Sequence, residues 1–254
     1  MSVWSKNERA FQVICGEGPI TPCLITCEHA SNYLPDGWNW KNGDERLRSM
    51  HWAYDLGATE ITHELVKELS CVGILTRFSR LLIDANRSLT QDNLFRTMAD
   101  GLPVHLNQNM TEEDRRRRID EYWAPFHGEI DRITEQMQPQ FLLSIHSFTP
   151  LYEGNPREVQ IGVLHDDTNP ELADIWCERL SELSGMDVRI NEPYTGIGGY
   201  MYSASVHAER AECPTIEMEF RQDLLVDPVI RKQLAEYMIT VVRETLAQLG
   251  STHS

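Results

Sequence analysis

Short apolar runs alternate along this chain with longer amphipathic segments, and this alternation constrains the fold more than any other feature. Cys23–Cys27, Val72–Thr76 and Phe141–Ile145 are apolar runs of five residues, a length typical of strands buried on both faces. Residues 55–69 and 111–137 carry apolar side chains at helical spacing. Strands separated by helices predict an α/β fold, with a largely parallel or mixed sheet covered by helices on both faces.

The rest of the chain continues this pattern. Thr111 is a suitable N-cap for the second helix, and Pro125 inside that helix predicts a kink. Residues 191–199 predict a mobile loop that either covers a site or simply connects two elements. We predict further extended segments at 81–84, 159–164, 188–190 and 214–220, and further helices at 170–183 and 228–249.

Length and composition indicate an ordinary globular protein. The chain has 254 residues, of which 41% are hydrophobic and 24% charged, and we predict a single domain over residues 1–254. The net charge of −16 argues against broad nucleic-acid binding. We see neither a membrane span nor a signal peptide, and interpret the six cysteines as reduced thiols of a cytoplasmic protein. A homo-oligomer remains open.

Polar residues stand where the predicted strands end. His29 follows the first strand and His146 follows the strand at 141–145, while Asp55 opens a helix. Two histidines and one carboxylate are a common catalytic zinc set, and strand ends meet at one edge of a sheet. Alternatively, Asp55 only caps the helix dipole. Glu28 and His29 are neighbours, which point to opposite faces of a strand, so we do not expect both at one metal.

Other site chemistries have less support in the sequence. Cys23, Cys27 and His29 would share one face of a strand, but their spacing fits no standard zinc motif. A hydrolase with Ser147 or Cys27 as nucleophile is a further alternative, although no G-x-S-x-G turn is present. Four arginines at 115–118 stand between acidic residues, and ion pairs within a helix explain them.

A second cluster of polar residues combines arginines with an acid and an amide. Arg77, Arg80, Asp84, Asn86 and Arg87 occupy one short stretch. Guanidinium groups bind carboxylates with two parallel hydrogen bonds, so these residues are candidates for substrate binding, with Arg87 the preferred one. Alternatively, Asp84 pairs with Arg77 or Arg80 in an internal network, and both interpretations are compatible.

The predicted strand at 214–220 carries acids on one face. Glu217, Glu219 and Arg221 alternate with apolar residues, so they share a side of the strand. One glutamate is a candidate for the proton transfers of a metal hydrolase. Glu219 is preferred because it lies nearer the carboxyl end, where Arg221 would hold it ionised. The alternative is Glu217, or an edge strand that simply faces water.

Taken in order, these segments resemble the N-formylglutamate amidohydrolase family. The resemblance spans about residues 24–221, most of the chain. One departure is Glu28, where family members often have a proline before the first histidine. The matching stretches are Cys27–Pro35, Tyr54–Ala58, Thr76–Arg87, Ser144–Ser147 and Glu217–Arg221.

The resemblance implies a zinc amidohydrolase with a phosphorylase/hydrolase-like α/β fold. It implies His29, Asp55 and His146 as metal ligands, Glu219 as the general base and then acid, and arginines of the 77–87 segment as the binders of substrate carboxylates. The substrate would be a small N-acyl amino acid such as N-formylglutamate, whose hydrolysis serves amino-acid catabolism. Alternatives are a non-catalytic carboxylate-binding protein on the same fold, or an amidase acting on a peptidoglycan-like fragment.

Overall fold

The structure is a computed structural model that describes residues 6–251. Residues 1–5 and 252–254 lie outside the described part. The prediction about a signal peptide concerns the N-terminal segment, which begins with residues 1–5. The strands are β1 (Lys6–Asn7), β2 (Phe11–Cys15), β3 (Cys23–Cys27), β4 (Val72–Thr76), β5 (Met98–Ala99), β6 (Leu102–Pro103), β7 (Phe141–Phe148), β8 (Leu151–Tyr152), β9 (Asn155–Pro156), β10 (Ile161–Leu164), β11 (Val188–Ile190) and β12 (Thr215–Arg221).

Seven α-helices alternate with these strands. They are α1 (Ala58–Leu69), α2 (Glu112–Arg118), α3 (Ala124–Met137), α4 (Pro170–Ser184), α5 (Tyr202–Ala211), α6 (Gln222–Val226) and α7 (Pro228–Ser251). Short 3-10 turns occur at Glu45–Ser49, Asp92–Leu94 and His105–Asn107, and a π-helical turn at Ile119–Trp123 joins α2 to α3. Between residues 6 and 251, no helix is long and apolar enough to cross a membrane.

The main sheet has eight strands in the order β1-β2-β4-β3-β7-β12-β10-β11. Its centre is parallel, because β4, β3, β7 and β12 run in one direction. Strand β2 pairs antiparallel with β4, and β10 pairs antiparallel with β12. The prediction of a mixed, largely parallel sheet is therefore confirmed.

Helices cover both faces of this sheet, since each face carries its own apolar cluster. Residues such as Ile61 of α1, Trp176 of α4 and Val241 of α7 pack on one face. On the opposite face, Phe126 of α3 and Ala204 of α5 pack against the sheet. Burial of these apolar side chains on both sides explains why the central strands read as continuous apolar runs.

Local structure differs from the sequence prediction at three places. Residues 81–84 form a buried loop instead of an extended segment, because Leu81 and Leu82 pack into the core without pairing with a strand. His146 lies inside β7, which continues to residue 148, and does not follow the strand. The interruption expected near Pro125 takes the form of the π-helical turn just before it, whereas Thr111 caps α2 as predicted.

Candidate active site

The crevice beside β3 is where the connections of the sheet change direction. From β3 the chain passes through α1 to β4 on one side, whereas β7 lies on the other side of β3. Such a switch point opens a crevice at the carboxyl ends of the strands, where α/β proteins bind ligands. His29 lies two residues beyond the end of β3, and His146 lies near the end of β7. Topology alone thus brings the two histidines together.

A third side chain, Asp55, completes a buried group with these histidines, which we call the candidate metal triad. Asp55 Oδ2 lies 3.4 Å from His29 Nδ1 and 2.9 Å from His146 Nδ1. One possible ligand atom from each residue can be chosen so that all three lie within 4.8 Å of one another. Each of the three residues is at most 3% exposed.

Asp55 is held in place by the turn that leads into α1. Its amide donates to the carbonyl of His29, and its Oδ2 accepts from the amide of Ser147. Gly57 follows with φ of 81°, and a Cβ there would lie 2.3 Å from the Cβ of Leu225, so only glycine fits this turn. Gly57, and not Asp55, is the N-cap of α1, so helix capping does not explain Asp55.

The outward-facing nitrogens of both histidines are bound to other carboxylates. His29 Nε2 lies 2.7 Å from Asp84 Oδ1, and His146 Nε2 lies 3.2 Å from Glu28 Oε2. Burial opposes the ionisation of Asp84, but the charge of Arg80 together with the charge and hydrogen bond of His29 outweighs it and holds the pKa of Asp84 well below its usual range. A carboxylate behind each histidine is the arrangement that orients metal-binding imidazoles.

The triad fits a divalent cation such as zinc. Because their Nε2 atoms face Asp84 and Glu28, His29 and His146 have Nδ1 available near Asp55, and the two imidazoles with one carboxylate form a common zinc donor set. Burial opposes protonation of His146, yet the charge of Glu217 and the bond to Asp55 raise its pKa well above the usual range. The surrounding carboxylates therefore attract positive charge to this point.

Both glutamates of β12 face the triad, but their environments differ. In the register of the parallel pair, Glu219 lies beside His146 and Glu217 lies beside Ser144. Glu217 Oε2 accepts a 3.0 Å bond from Asn86 Nδ2, whereas Glu219 Oε2 is buried without a hydrogen-bond partner. Burial raises the pKa of Glu219 to about 8. Of these two glutamates, Glu219 is therefore the one whose Oε2 is free to accept a proton.

A cavity of about 230 Å³ opens above the triad. Its walls combine the triad, both glutamates, three arginines and several aromatic rings. The loop between β11 and α5, for which the sequence left two roles open, contributes to this wall. The lining residues are His29, His51, Trp52, Asp55, Arg80, Asn86, Arg87, Asn93, Arg96, His146, Ser147, Phe148, Thr149, Tyr152, Leu164, Tyr194, Thr195, Tyr200, Glu217 and Glu219.

Three of the five residues predicted to bind substrate line this cavity. Arg80 belongs to the internal network, because it lies 2.7 Å from Asp84 Oδ2 and 3.5 Å from Asp55 Oδ1. Arg87 has no acidic partner in the described chain; it donates to the carbonyls of Asn86 and Tyr200. Asn86 bridges the walls through Glu217 and the amide of Ser203.

The other two predicted substrate-binding arginines, Arg77 and Arg221, do not line this cavity. Arg77 is exposed and donates to the carbonyl of Glu8, since the chain turns outward after β4. Arg221 donates to both carboxylate oxygens of Asp223. Because Asp223 takes its charge, Arg221 does not hold Glu219 ionised as the sequence suggested.

Several residues in and behind the cavity were not predicted from the sequence. Glu28 was set aside because strand neighbours point to opposite faces, but β3 ends at Cys27, so Glu28 is free to turn towards His146. Arg96, Trp52 and Tyr152 come from loops and a short hairpin with no local pattern to mark them. The Cys23 and Cys27 side chains pack instead in the core beneath α1.

Comparison with known proteins identifies the family. The N-formylglutamate amidohydrolase family profile matches residues 21–226. The chain belongs to the N-formylglutamate amidohydrolase family. The N-formylglutamate deformylase of Pseudomonas putida is 24% identical over 153 residues, a match that covers 53% of this chain and 57% of that protein. The family predicted from the sequence motifs is therefore confirmed.

Two solved structures share the fold of this family member. The gene product Atu2144 from Agrobacterium tumefaciens has a TM-score of 0.86 and 26% identity, with 96% of each chain covered. The N-formylglutamate amidohydrolase from Ralstonia eutropha JMP134 has a TM-score of 0.75 and 17% identity, with 95% of this chain and 99% of that chain covered. The fold extends over nearly the whole length of all three chains.

Proposed function

We propose that this protein is a zinc-dependent amidohydrolase that cleaves the N-formyl, or another N-acyl, amide of an acidic amino acid such as N-formylglutamate. The observation that carries the proposal is the convergence of the candidate metal triad and the unpartnered carboxylate of Glu219 in one cavity. Family membership supports the same activity. The products are formate, or another carboxylic acid, and a free amino acid.

His29, Asp55 and His146 would hold the metal, with Asp84 and Glu28 fixing the orientation of the two imidazoles. When bound, a divalent ion supplies a Lewis acid that polarises a carbonyl and makes water a stronger acid. Positive charge held by the triad also favours the ionised form of Glu219, which burial alone disfavours. Glu219 then enters the reaction able to accept a proton.

Glu219 moves the proton that the hydrolysis requires. It accepts a proton from the water that attacks the carbonyl carbon, and returns a proton to the amide nitrogen as the C–N bond breaks. Its position beside His146 in the sheet register supports this role. Glu217 holds Asn86 in place by accepting a hydrogen bond at Oε2, whereas Glu219 Oε2 has no hydrogen-bond partner in the described chain. Burial of the site excludes bulk water.

The test combines metal removal with the two glutamate variants. We expect hydrolysis of N-formylglutamate to stop after chelation and to return with zinc. Glu219→Gln should retain the metal and lose at least ~100-fold in kcat, because general-base catalysis contributes ~10²–10⁴-fold. Glu217→Gln, the matched control on the same strand face, should lose under ~10-fold. Activity unchanged by chelation, or a larger loss in Glu217→Gln, would contradict this mechanism.

A further inference from the structure

Arg96 lines the cavity without an acidic partner. Its guanidinium lies 4.9 Å from the ring centre of Trp52, and between residues 6 and 251 no carboxylate lies within ion-pairing distance of it. Arg80, in contrast, is neutralised by Asp84 and Asp55. A guanidinium has five donors in a planar fork, and those of Arg96 have no hydrogen-bond acceptor in the described chain. They are available to a ligand.

The position of Arg96 is fixed although its donors are free. The Trp52 ring beneath it is 5% exposed and is oriented by a 2.9 Å hydrogen bond from its Nε1 to Asp100. Tyr152 packs against the same indole ring at 5.7 Å. A guanidinium stacked on a fixed aromatic ring loses little conformational freedom when it binds an anion. The arrangement is that of a prepared anion site.

Two guanidinium groups of this cavity, those of Arg96 and Arg87, have no carboxylate partner among residues 6–251. Burial and the neighbouring charge of Arg80 both lower the pKa of Arg96, and the charge of Arg87 acts in the same direction. Arg87 likewise forms no ion pair with a carboxylate of residues 6–251, and it lies over the Tyr200 ring. Two unneutralised guanidinium groups in one small cavity match a ligand with two carboxylates.

We propose that Arg96 is a specificity determinant that binds the side-chain carboxylate of an N-acyl acidic amino acid. This inference rests on the proposed function. Arg87 follows Asn86, whose side-chain Nδ2 lies 3.5 Å from His146 Nε2. Arg87 therefore suits the α-carboxylate, which is attached to the same carbon as the scissile nitrogen. Arg96 lines the same cavity against the Trp52 wall, and suits the second carboxylate of the substrate.

The experiment compares two substrates that differ only in this carboxylate, N-formylglutamate and N-formylglutamine. Arg96→Gln should lower kcat/KM for N-formylglutamate by roughly 10–100-fold, the usual effect of losing a hydrogen bond to a charged group. The value for N-formylglutamine should change by less than ~3-fold. Arg96→Lys should recover only part of the loss, because an ammonium lacks the fork. Arg179→Gln, which changes a half-buried arginine of α4 that pairs with Glu244 of α7 outside the cavity, is the control.

Binding to the zinc-loaded Glu219→Gln variant provides a readout that does not depend on turnover. Calorimetry should show that this variant prefers N-formylglutamate to N-formylglutamine, and that adding Arg96→Gln removes the preference. Equal weakening of both ligands would overturn the assignment while leaving the hydrolase intact. An unchanged preference would overturn it too. If no substrate turns over but the preference depends on Arg96, the proposed function fails and the anion site stands.

Discussion

Two regions of this protein each combine two histidines with one aspartate, yet among the described residues only the candidate metal triad has ligand atoms close enough together for one metal ion. The second region, which we call the histidine chain, consists of Asp131, His207 and His127. Asp131 Oδ1 lies 2.8 Å from His207 Nδ1, and His207 Nε2 lies 2.8 Å from His127 Nδ1. His127 Nε2 then donates to the carbonyl of Ala85 at 3.0 Å.

The difference lies in where the ring nitrogens point. In the triad, one nitrogen of each histidine faces the same oxygen of Asp55, so lone pairs converge on one point. In the histidine chain, every ring nitrogen is engaged by the next member, and the series ends on the backbone beside Asp84. The residue types are the same in both regions. Ring nitrogens that converge suit a cation, whereas ring nitrogens that bond one after another link parts of the structure.

This comparison also connects the two regions. The histidine chain holds the carbonyl of Ala85. Ala85 stands between Asp84, which contacts His29, and Asn86, which donates to Glu217. Trp123 Nε1 donates to the carbonyl of Arg87 in the same segment. One region therefore supports the loop that supplies the outer partners of the other.

The largest expected effect separates the two pairs of histidines by metal content. His146→Ala should lower zinc to well below one ion per chain, since it removes a ligand and leaves buried acids unbalanced. His207→Ala should retain close to one ion per chain. Elemental analysis of purified protein, with folding checked by circular dichroism, makes the measurement. Equal loss in both variants would erase the distinction drawn here.

The second expected effect compares two aspartates that each contact one histidine. Asp84 lies behind His29 of the candidate metal triad, and Asp131 begins the histidine chain. Asp84→Asn should weaken zinc affinity by ~10–100-fold, the usual cost of removing the partner behind a metal-binding imidazole. Asp131→Asn, the matched change in the histidine chain, should alter zinc affinity by less than ~3-fold. Competition with a chelator of known affinity measures both. A strong effect of Asp131→Asn on zinc affinity would show that the histidine chain influences the metal site through the loop at Ala85.

A third prediction concerns stability without metal. His207→Ala should lower the free energy of unfolding by ~1–3 kcal/mol, because it leaves buried polar groups of the histidine chain without partners. His63→Ala, an exposed histidine of α1, should change it by less than ~0.5 kcal/mol. Urea denaturation of the chelated proteins gives both numbers. Similar free energies of unfolding for the two variants would mean that the histidine chain contributes no stability.

The last prediction is a pH dependence whose effect is small near neutral pH. Burial lowers the pKa of His127 to about 3, whereas an unfolded histidine titrates near ~6.5. Below that pH the unfolded state binds a proton that the folded state refuses, so His127 makes stability fall as pH decreases. Relative to His127→Gln, the wild type should lose up to ~1.4 kcal/mol per pH unit between pH 6 and 4. Parallel stability curves would refute this.

The sequence by itself determined the framework and the triad. The apolar runs at β3, β4 and β7 marked buried strands, because only strands covered on both faces lack polar positions. Their order with the helices determined a parallel centre, and the strand-end rule pointed to His29 and His146. The zinc donor set added Asp55, the carboxyl end of the strand at 214–220 favoured Glu219, and the family motifs implied the same roles, which stay predictions.

Tertiary structure alone decided which polar groups are free and which are used. Arg80 and Arg96 are both arginines in loops, and nothing local shows that one is neutralised by Asp84 while the other faces the cavity unpaired. Arg118 belongs to a run that suggests surface ion pairs, yet it is buried and donates to the carbonyls of Leu82 and Leu106. Periodicity reports only which face of an element is apolar. The partner of a charge depends on contacts between residues far apart in the chain, which folding creates.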